Sequence, residues 1–478
     1  MSILKNYLYN VTYQLLVIIL PIITIPYVSR ILEVDGVGRY SVSAAVINYF
    51  VLFGVLGINT YGNRQVAYVR DNREQLSKVF WEIFFLKCIT MTCSIILFFS
   101  LLPNLVSQDN KLLYSLQIFT LLASLVDISW FFYGLEEFKK TAIRNILVKL
   151  FSIALIFLLV KEKDDILIYA LIISGSLFVG QVILWKDMRR KVYFVKPKLM
   201  NLVTHLKNTI HLWIPSLAIQ IYSSLDKVML GFLTDNTQAG LYENSQKLVR
   251  MAATVTTALS VVTLPRVANS FKNNDISQIR SVSNRSFSMI SLISFPMAAG
   301  LMAVRETLVP WFFGPGYEEI INLLFISGWI IITLGWSSVF GAQILIGCHK
   351  ETQFTIAVTI GAVVNILLNS IFIIHFKAAG AIFASVVAEY VGMLLMLYFV
   401  RKIIDIKLMF KPVPKYLVTS ILMYFIVYYV GRLISIPLLA TVVQIMVGVF
   451  IYCGILIIFK DENIKYLCSK VLSLKNRH

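Results

Sequence analysis

Apolar stretches of roughly 20 residues, each long enough to cross a bilayer core as a helix, follow one another along nearly the whole chain. Lys and Arg gather in every second gap between them. Backbone donors and acceptors cannot go unpaired in lipid, so such spans must close their hydrogen bonds internally, as helices. The chain is therefore expected to be an all-α polytopic membrane protein. Its make-up agrees: 58% of residues are hydrophobic and 14% charged, against about 25% charged in soluble domains. The longest polar stretch, Lys186 to Lys207, is too short for an independent soluble domain. No cleavable leader is expected, because the first span contains Arg30 and runs into a second without a small-residue cleavage site.

The pattern predicts about fourteen helices. They cover roughly 10–32, 40–62, 79–102, 112–134, 142–160, 166–185, 209–233, 244–266, 286–308, 320–342, 355–375, 380–400, 415–434 and 437–459. With the N-terminus in the cytoplasm, 31 basic residues fall on inner segments and eight on outer ones. An inner excess of this kind is what orients multi-span proteins, and it places both termini in the cytoplasm. The eighth span is the least regular, being rich in Thr, Ser and charge.

A faint repeat accompanies the spans. Asn6 and Asn208, Gly38 and Gly240, and Tyr40 and Tyr242 recur at one offset, 202 residues. Both glycines are expected in turns, Gly36–Tyr40 after the first span and Ala239–Tyr242 after the seventh. Parallel repeats of this kind occur in transporters. The expected organisation is a six-helix lobe over 1–200, a second over 201–410, and an appended helix pair with a basic tail over 411–478. Pro21, Pro26 and Pro215 lie in the leading helix of the two halves, and each is a candidate bending point.

Four cations, Lys87, Lys227, Lys247 and Arg250, are left inside spans. A charge near the bilayer centre costs at least ~2.5 kcal/mol and so faces a cavity or a partner. Asp127 lies at similar depth to Lys87 on the next helix and is a candidate partner. Lys247 and Arg250 stand three apart on one helical face, with Glu243 and Asp226 able to neutralise them. Asp226 and Glu389 are further intramembrane acids. Together with Asp127 they are candidates for ion coupling or charge pairing. Arg30, Gln14, Asn59 and Gln220 are candidate cavity-lining residues. Two readings of the stranded cations stand side by side: a cationic cavity suited to phosphate oxygens, or interhelix ion pairs and snorkelling side chains.

Several functions are disfavoured. The net charge of +18 is spread over many short loops, which fits membrane orientation and anionic headgroups better than nucleic acid. The five histidines and five cysteines show no metal-ligand spacing, so no metal site, cofactor or structural disulfide is expected. There is no catalytic set and no phosphate-cradling Walker-type loop, so the chain is not expected to be an enzyme.

Several segments carry a resemblance. They include Asn6–Asn10, Pro21 to Leu32, Gly36–Tyr40 and Gly57–Arg64. Trp130–Glu136, Asp226–Gly231 and Leu264–Arg266 continue it. Together they resemble Wzx-type polysaccharide flippases of the multidrug/oligosaccharidyl-lipid/polysaccharide exporter superfamily. The resemblance covers most of the first 410 residues and is weaker in the last two spans. It implies two six-helix lobes, alternating access and a home in the bacterial cytoplasmic membrane. It implies as substrate an undecaprenyl-diphosphate-linked oligosaccharide for capsule, exopolysaccharide or O-antigen-type synthesis, with a polysaccharide polymerase as a possible neighbour. A teichoic-acid precursor is an alternative cargo within the family. A drug/cation antiporter is an alternative within the superfamily, although its cavity would favour acidic residues. A membrane glycan polymerase or ligase is disfavoured by the short external loops.

Overall fold

Lipid leaves helices as the way to close the backbone, and the computed structural model is built of helices throughout the described residues. It describes residues 3–465. The side chains of 1–19 and of several positions between 199 and 261 lie outside the described set, and with them Asn10, Tyr13, Gln14, Pro215, Tyr222 and Ser223. The helices are α1 (Ile3–Val55), α2 (Ile58–Val69), α3 (Arg73–Leu105), α4 (Lys111–Leu116), α5 (Ile118–Val126), α6 (Ser129–Gly134), α7 (Phe138–Leu159), α8 (Ile166–Met188) and α9 (Leu199–Leu233). Then come α10 (Asn236–Lys272), α11 (Ile276–Phe312), α12 (Glu319–Ser327), α13 (Trp329–Ser337), a π-helix at Ser338–Ile346, α14 (Glu351–Val400), α15 (Ile406–Phe410), α16 (Val413–Arg432) and α17 (Pro437–Ile458).

Among the described residues ten helices are long and apolar enough to cross a membrane. Two of them, Leu20–Val69 and Glu351–Val400, are 50 residues long. At 1.5 Å per residue that is about 75 Å, more than twice the hydrocarbon thickness. The first is interrupted at Glu33 (φ 56°) and again at Leu56 and Gly57 (φ 46° and 74°), between α1 and α2, and the second at Lys377 (φ 51°). The breaks at Glu33 and Lys377 fall in gaps between predicted spans. Pro21 and Pro26, read as bending points, lie inside continuous helix. The bend sits at Glu33 because the chain must reverse there, where polar residues can meet water.

Several helices outrun their predicted spans: α9 begins at Leu199 and not near 209, and α11 at Ile276 and not near 286. Hydropathy marks the lipid-buried part of a helix, and polar turns continue beyond it. The fourth predicted span is not one helix. It parts between α5 and α6, where Asp127 is extended (φ −66°, ψ 116°).

The described chain forms two compact units, Met1–Gly240 and Leu241–His478. In the first, α9 packs on α1, α2 and α3. In the second, α11 packs on α16, α17 and α13, with α14 against α12, α13 and the π-helix.

Gly38 and Gly240 are helical and do not form the predicted turns. Their role is close approach. A Cβ on Gly38 would collide with the carbonyl oxygen of Asn236, and one on Gly240 with that of Val34. The 202-residue offset carries Val34 onto Asn236 and Gly38 onto Gly240, so the two contacts are images of each other.

Candidate intramembrane polar site

The site in unit 1 starts from a packed corner. Gly62 on α2 lets the Trp130 ring close on the backbone, and Gly134 at the end of α6 does the same for Val66. Trp130, Phe131 and Phe132 are fully buried there with Phe80, Ile83 and Val66. The turn after α6 places Glu136 in the left-handed region (φ 60°). The Glu137 N–H then reaches back to the Phe132 carbonyl at 2.9 Å, a Schellman-type ending. Arg70 holds Glu136 at 2.7 Å. Two of the segments that carry the family resemblance, Gly57–Arg64 and Trp130–Glu136, thus pack against each other.

This corner fixes the break in the fourth span. A broken helix leaves carbonyls without intrahelical partners, and here side chains supply donors. Lys87 Nζ donates to the Asp127 carbonyl at 2.8 Å, and Trp185 Nε1 to the Val126 carbonyl at 2.8 Å. The Asp127 carboxylate accepts from the Ser129 N–H at 2.8 Å, starting α6. Lys87, wholly buried, also reaches Asn59 Oδ1 at 3.5 Å. The expected Lys87–Asp127 partnership is present, but the acceptor is the backbone oxygen.

Beside the break lies a polar cavity of about 260 Å³, lined by Asn59, Asp127, Ser129, Trp130, Tyr133, Arg144, Asn145 and Gln181. Arg144 enters it buried, with Nη1 on Gln181 Oε1 at 2.6 Å and Nη2 on Ser129 Oγ at 3.1 Å. One cation, Arg144, and one carboxylate, Asp127, are among the lining residues, and Lys87 stands behind the lining with its ammonium group on the Asp127 carbonyl. The Arg144 guanidinium is the group there that suits an anionic partner such as a phosphate oxygen. Arg144, Ser129, Asn145 and Gln181 were not among the sequence candidates. Arg144 counts as a loop cation by position, although it falls two residues inside the predicted fifth span; that overlap is the available signal.

The other candidates are distributed as follows. Asp226 and Lys227 sit on α9, the acid buried and the lysine half-buried. Gln220 donates to Ser224 Oγ one turn on, at 2.9 Å. Arg30 is exposed. The Gln14 side chain lies outside the described residues. In unit 2, Lys247 and Arg250 occupy one face of α10. Lys247 Nζ lies 3.6 Å from Glu243 Oε1 and 3.4 Å from Asn244 Oδ1, and Arg250 is exposed. Glu389 is half-buried on the second part of α14. Among the described residues no group of His, Cys, Asp and Glu is arranged to hold a metal ion.

Residues 3–271 match the family described as polysaccharide biosynthesis protein. A putative O-antigen transporter of Escherichia coli (strain K12) is 25% identical over 405 residues, covering 84% of this chain and 97% of that protein. A probable low-salt glycan biosynthesis flippase, Agl15, of Haloferax volcanii is 22% identical, covering 65% of each. Among solved structures, the lipid II flippase MurJ in an inward closed conformation superposes with a TM-score of 0.74 at 17% identity, covering 96% of this chain and 99% of that one. An inward-facing multidrug resistance transporter of the MATE family gives 0.62 at 13% identity, covering 80% and 98%. These relatives are transporters and flippases by name. The chain belongs to the polysaccharide biosynthesis protein family, in keeping with its resemblance to Wzx-type flippases.

Proposed function

We propose that this chain carries an undecaprenyl-diphosphate-linked oligosaccharide from the inner to the outer leaflet of the bacterial cytoplasmic membrane. The product feeds capsule, exopolysaccharide or O-antigen-type synthesis, with a polysaccharide polymerase as the next consumer. The observation that carries the reading is the polar cavity at the broken helix of unit 1, with the buried Arg144 in its lining, in a chain of this family. A diphosphate is a polyanion, and Lys and Arg are the side chains that neutralise one. A second feature supports the lipid part. Unit 2 holds an apolar groove of about 570 Å³ along α11, α16 and α17, lined by Leu301, Val304, Met423, Val427, Gly448 and Val449 among others. Such a surface suits a polyprenyl chain. In this reading Lys227, Lys247 and Arg250 meet the anionic headgroup, Lys87 holds the broken helix, and two lobes, 1–200 and 201–410, alternate access to the two leaflets. Fourteen crossings with both termini in the cytoplasm complete the proposal, and reporter fusions in successive loops test that part.

The deciding experiment is lipid extraction and mass spectrometry of cells depleted of this protein. Build-up of one undecaprenyl-diphosphate oligosaccharide is the expected result, and its mass names the glycan. Normal lipid-linked glycan with altered sensitivity to cationic drugs overturns the reading in favour of an antiporter.

A further inference from the structure

Unit 1 buries a second set of titratable groups that the polar cavity does not use. Glu82 on α3 and His205 on α9 are 3% and 9% exposed. Their Oε2 and Nε2 atoms are 3.2 Å apart. Tyr61 on α2 closes on the other ring nitrogen, with its hydroxyl 2.8 Å from Nδ1. Asn201 donates Nδ2 to Glu82 Oε1, and Asn208 donates Nδ2 to the Tyr61 hydroxyl at 3.4 Å. One hydrogen-bonded chain therefore ties three helices together.

The charge balance of this cluster is unusual. Among the described residues the acid has no Lys or Arg in a salt bridge with it. On α3, Lys78 is exposed and Lys87 is turned to the Asp127 carbonyl. On α2, Arg64 is exposed, as is Lys207 on α9. The last turn of α1, Phe50–Val55, and the whole of α5 carry no titratable side chain. Past α8, Lys191 is engaged by Glu137, and Tyr193 meets Ser77 through its backbone. Among the described residues the imidazole is the group placed to balance the carboxylate. Burying a net charge is costly, and a carboxylate–imidazole pair that holds one proton beyond the neutral ring has none.

We propose that Glu82, His205 and Tyr61 form a proton-binding site whose occupancy fastens the leading turns of α9 to α2 and α3. Location supports this. α9 is 35 residues long, about 52 Å at 1.5 Å per residue, so it projects well beyond a ~30 Å hydrocarbon layer. His205 lies in its second turn, at the end that projects, where protons arrive from water. The proton taken up when α9 docks is released when α9 leaves, so proton occupancy and helix attachment are linked. The role in transport rests on the flippase reading: releasing this proton frees the helix that leads to Asp226 and Lys227.

The test is hydrogen exchange of the full chain in lipid nanodiscs, without substrate, at about pH 6 and about pH 8, the range in which imidazoles change charge. Peptides spanning residues 199–212 are compared after correction for intrinsic exchange. In the unaltered chain, exchange at the higher pH is expected to be about tenfold faster. In Glu82→Gln the difference disappears. In Tyr61→Phe, which keeps the acid–imidazole contact, the difference remains. His205→Asn repeats the first test if the glutamine variant does not accumulate. Equal corrected exchange at both pH values in the unaltered chain overturns the proposal, as does a surviving difference in Glu82→Gln. Because no substrate is present, failure here leaves the lipid-accumulation result standing, and the reverse holds too.

Discussion

Lys87 and Lys247 carry the same signature in the sequence, a cation inside an apolar span, and the structure resolves them in opposite ways. Lys87 is fully buried and donates to the carbonyl that a broken helix leaves open. The Lys247 side chain is 34% exposed and leans on Glu243 one turn away along its own helix. The first lysine is part of the scaffold: α5 and α6 part where its ammonium group replaces the missing backbone donor. The second makes a local contact that any helix can make. A stranded charge therefore marks a polar place in a membrane protein without saying whether it holds the place together or works there.

The most direct way to break this contrast is to remove the two ammonium groups separately. Lys87→Met leaves the Asp127 carbonyl buried without its donor. Relief from burying the ammonium offsets part of the loss, and a net destabilisation of about 2 kcal/mol is expected. It is read as a lower unfolding temperature in detergent. Lys87→Glu places two acids at the break and is expected to be absent from the membrane fraction. A Lys87→Met protein with unchanged unfolding temperature would show that the break stands without the lysine.

Arg144 sharpens the comparison, because it is buried like Lys87 but bonds to side chains, Gln181 and Ser129. Arg144→Met is expected to cost about 1 to 2 kcal/mol, since Gln181 and Ser129 can turn to other partners where a carbonyl cannot. A loss as large as that of Lys87→Met would place Arg144 in the scaffold too.

Lys247→Gln and Arg250→Gln belong at the other pole. The Lys247–Glu243 pair bridges one turn of a helix, a contact that contributes about 0.3–0.5 kcal/mol, so unfolding should hardly move. Export is expected to fall strongly, seen as retained lipid-linked glycan in cells that carry the variant alone. Normal export by the double variant removes both residues from the substrate path.

Why the contrast was not legible in the sequence follows from what hydropathy measures. It reports the cost of placing a residue in lipid, and that cost picks out Lys87, Asp127 and the helical spans well. It does not report which atom answers a buried charge, so the backbone acceptor at Asp127 stayed hidden. Arg144 was assigned to a loop because it lies near one, although α7 continues past it. Glu82 and His205 are 123 residues apart on different helices, and no local pattern joins them. The repeat was legible in Gly38 and Gly240, but their purpose was misread. Glycine suits a turn and a close contact equally, and only the Asn236 and Val34 carbonyls lying against them decide between the two.

The smallest expected effect probes the support beneath the Lys87 corner. Glu137 lies in the turn between α6 and α7, with Lys191 at 2.5 Å and Lys140 at 3.1 Å. Partial burial pushes its carboxyl toward the neutral form, but hydrogen bonds from Lys191 and then Lys140 outweigh this and hold it below the usual carboxylate range. A carboxyl lowered by folding adds stability above its unfolded value, about 4.3, and that stability is lost as pH falls through the lower folded value. Unfolding temperature should therefore drop on acidification below about pH 4.5, and Glu137→Gln should flatten part of that drop while leaving neutral-pH stability slightly reduced. A smaller change is expected for Lys247→Gln, whose contact with Glu243 bridges one turn of a single helix. If the two variants flatten the acid limb equally, the corner of unit 1 is no more dependent on its ion pairs than the face of α10, and the division between scaffold charge and working charge has to be drawn at Lys87 alone.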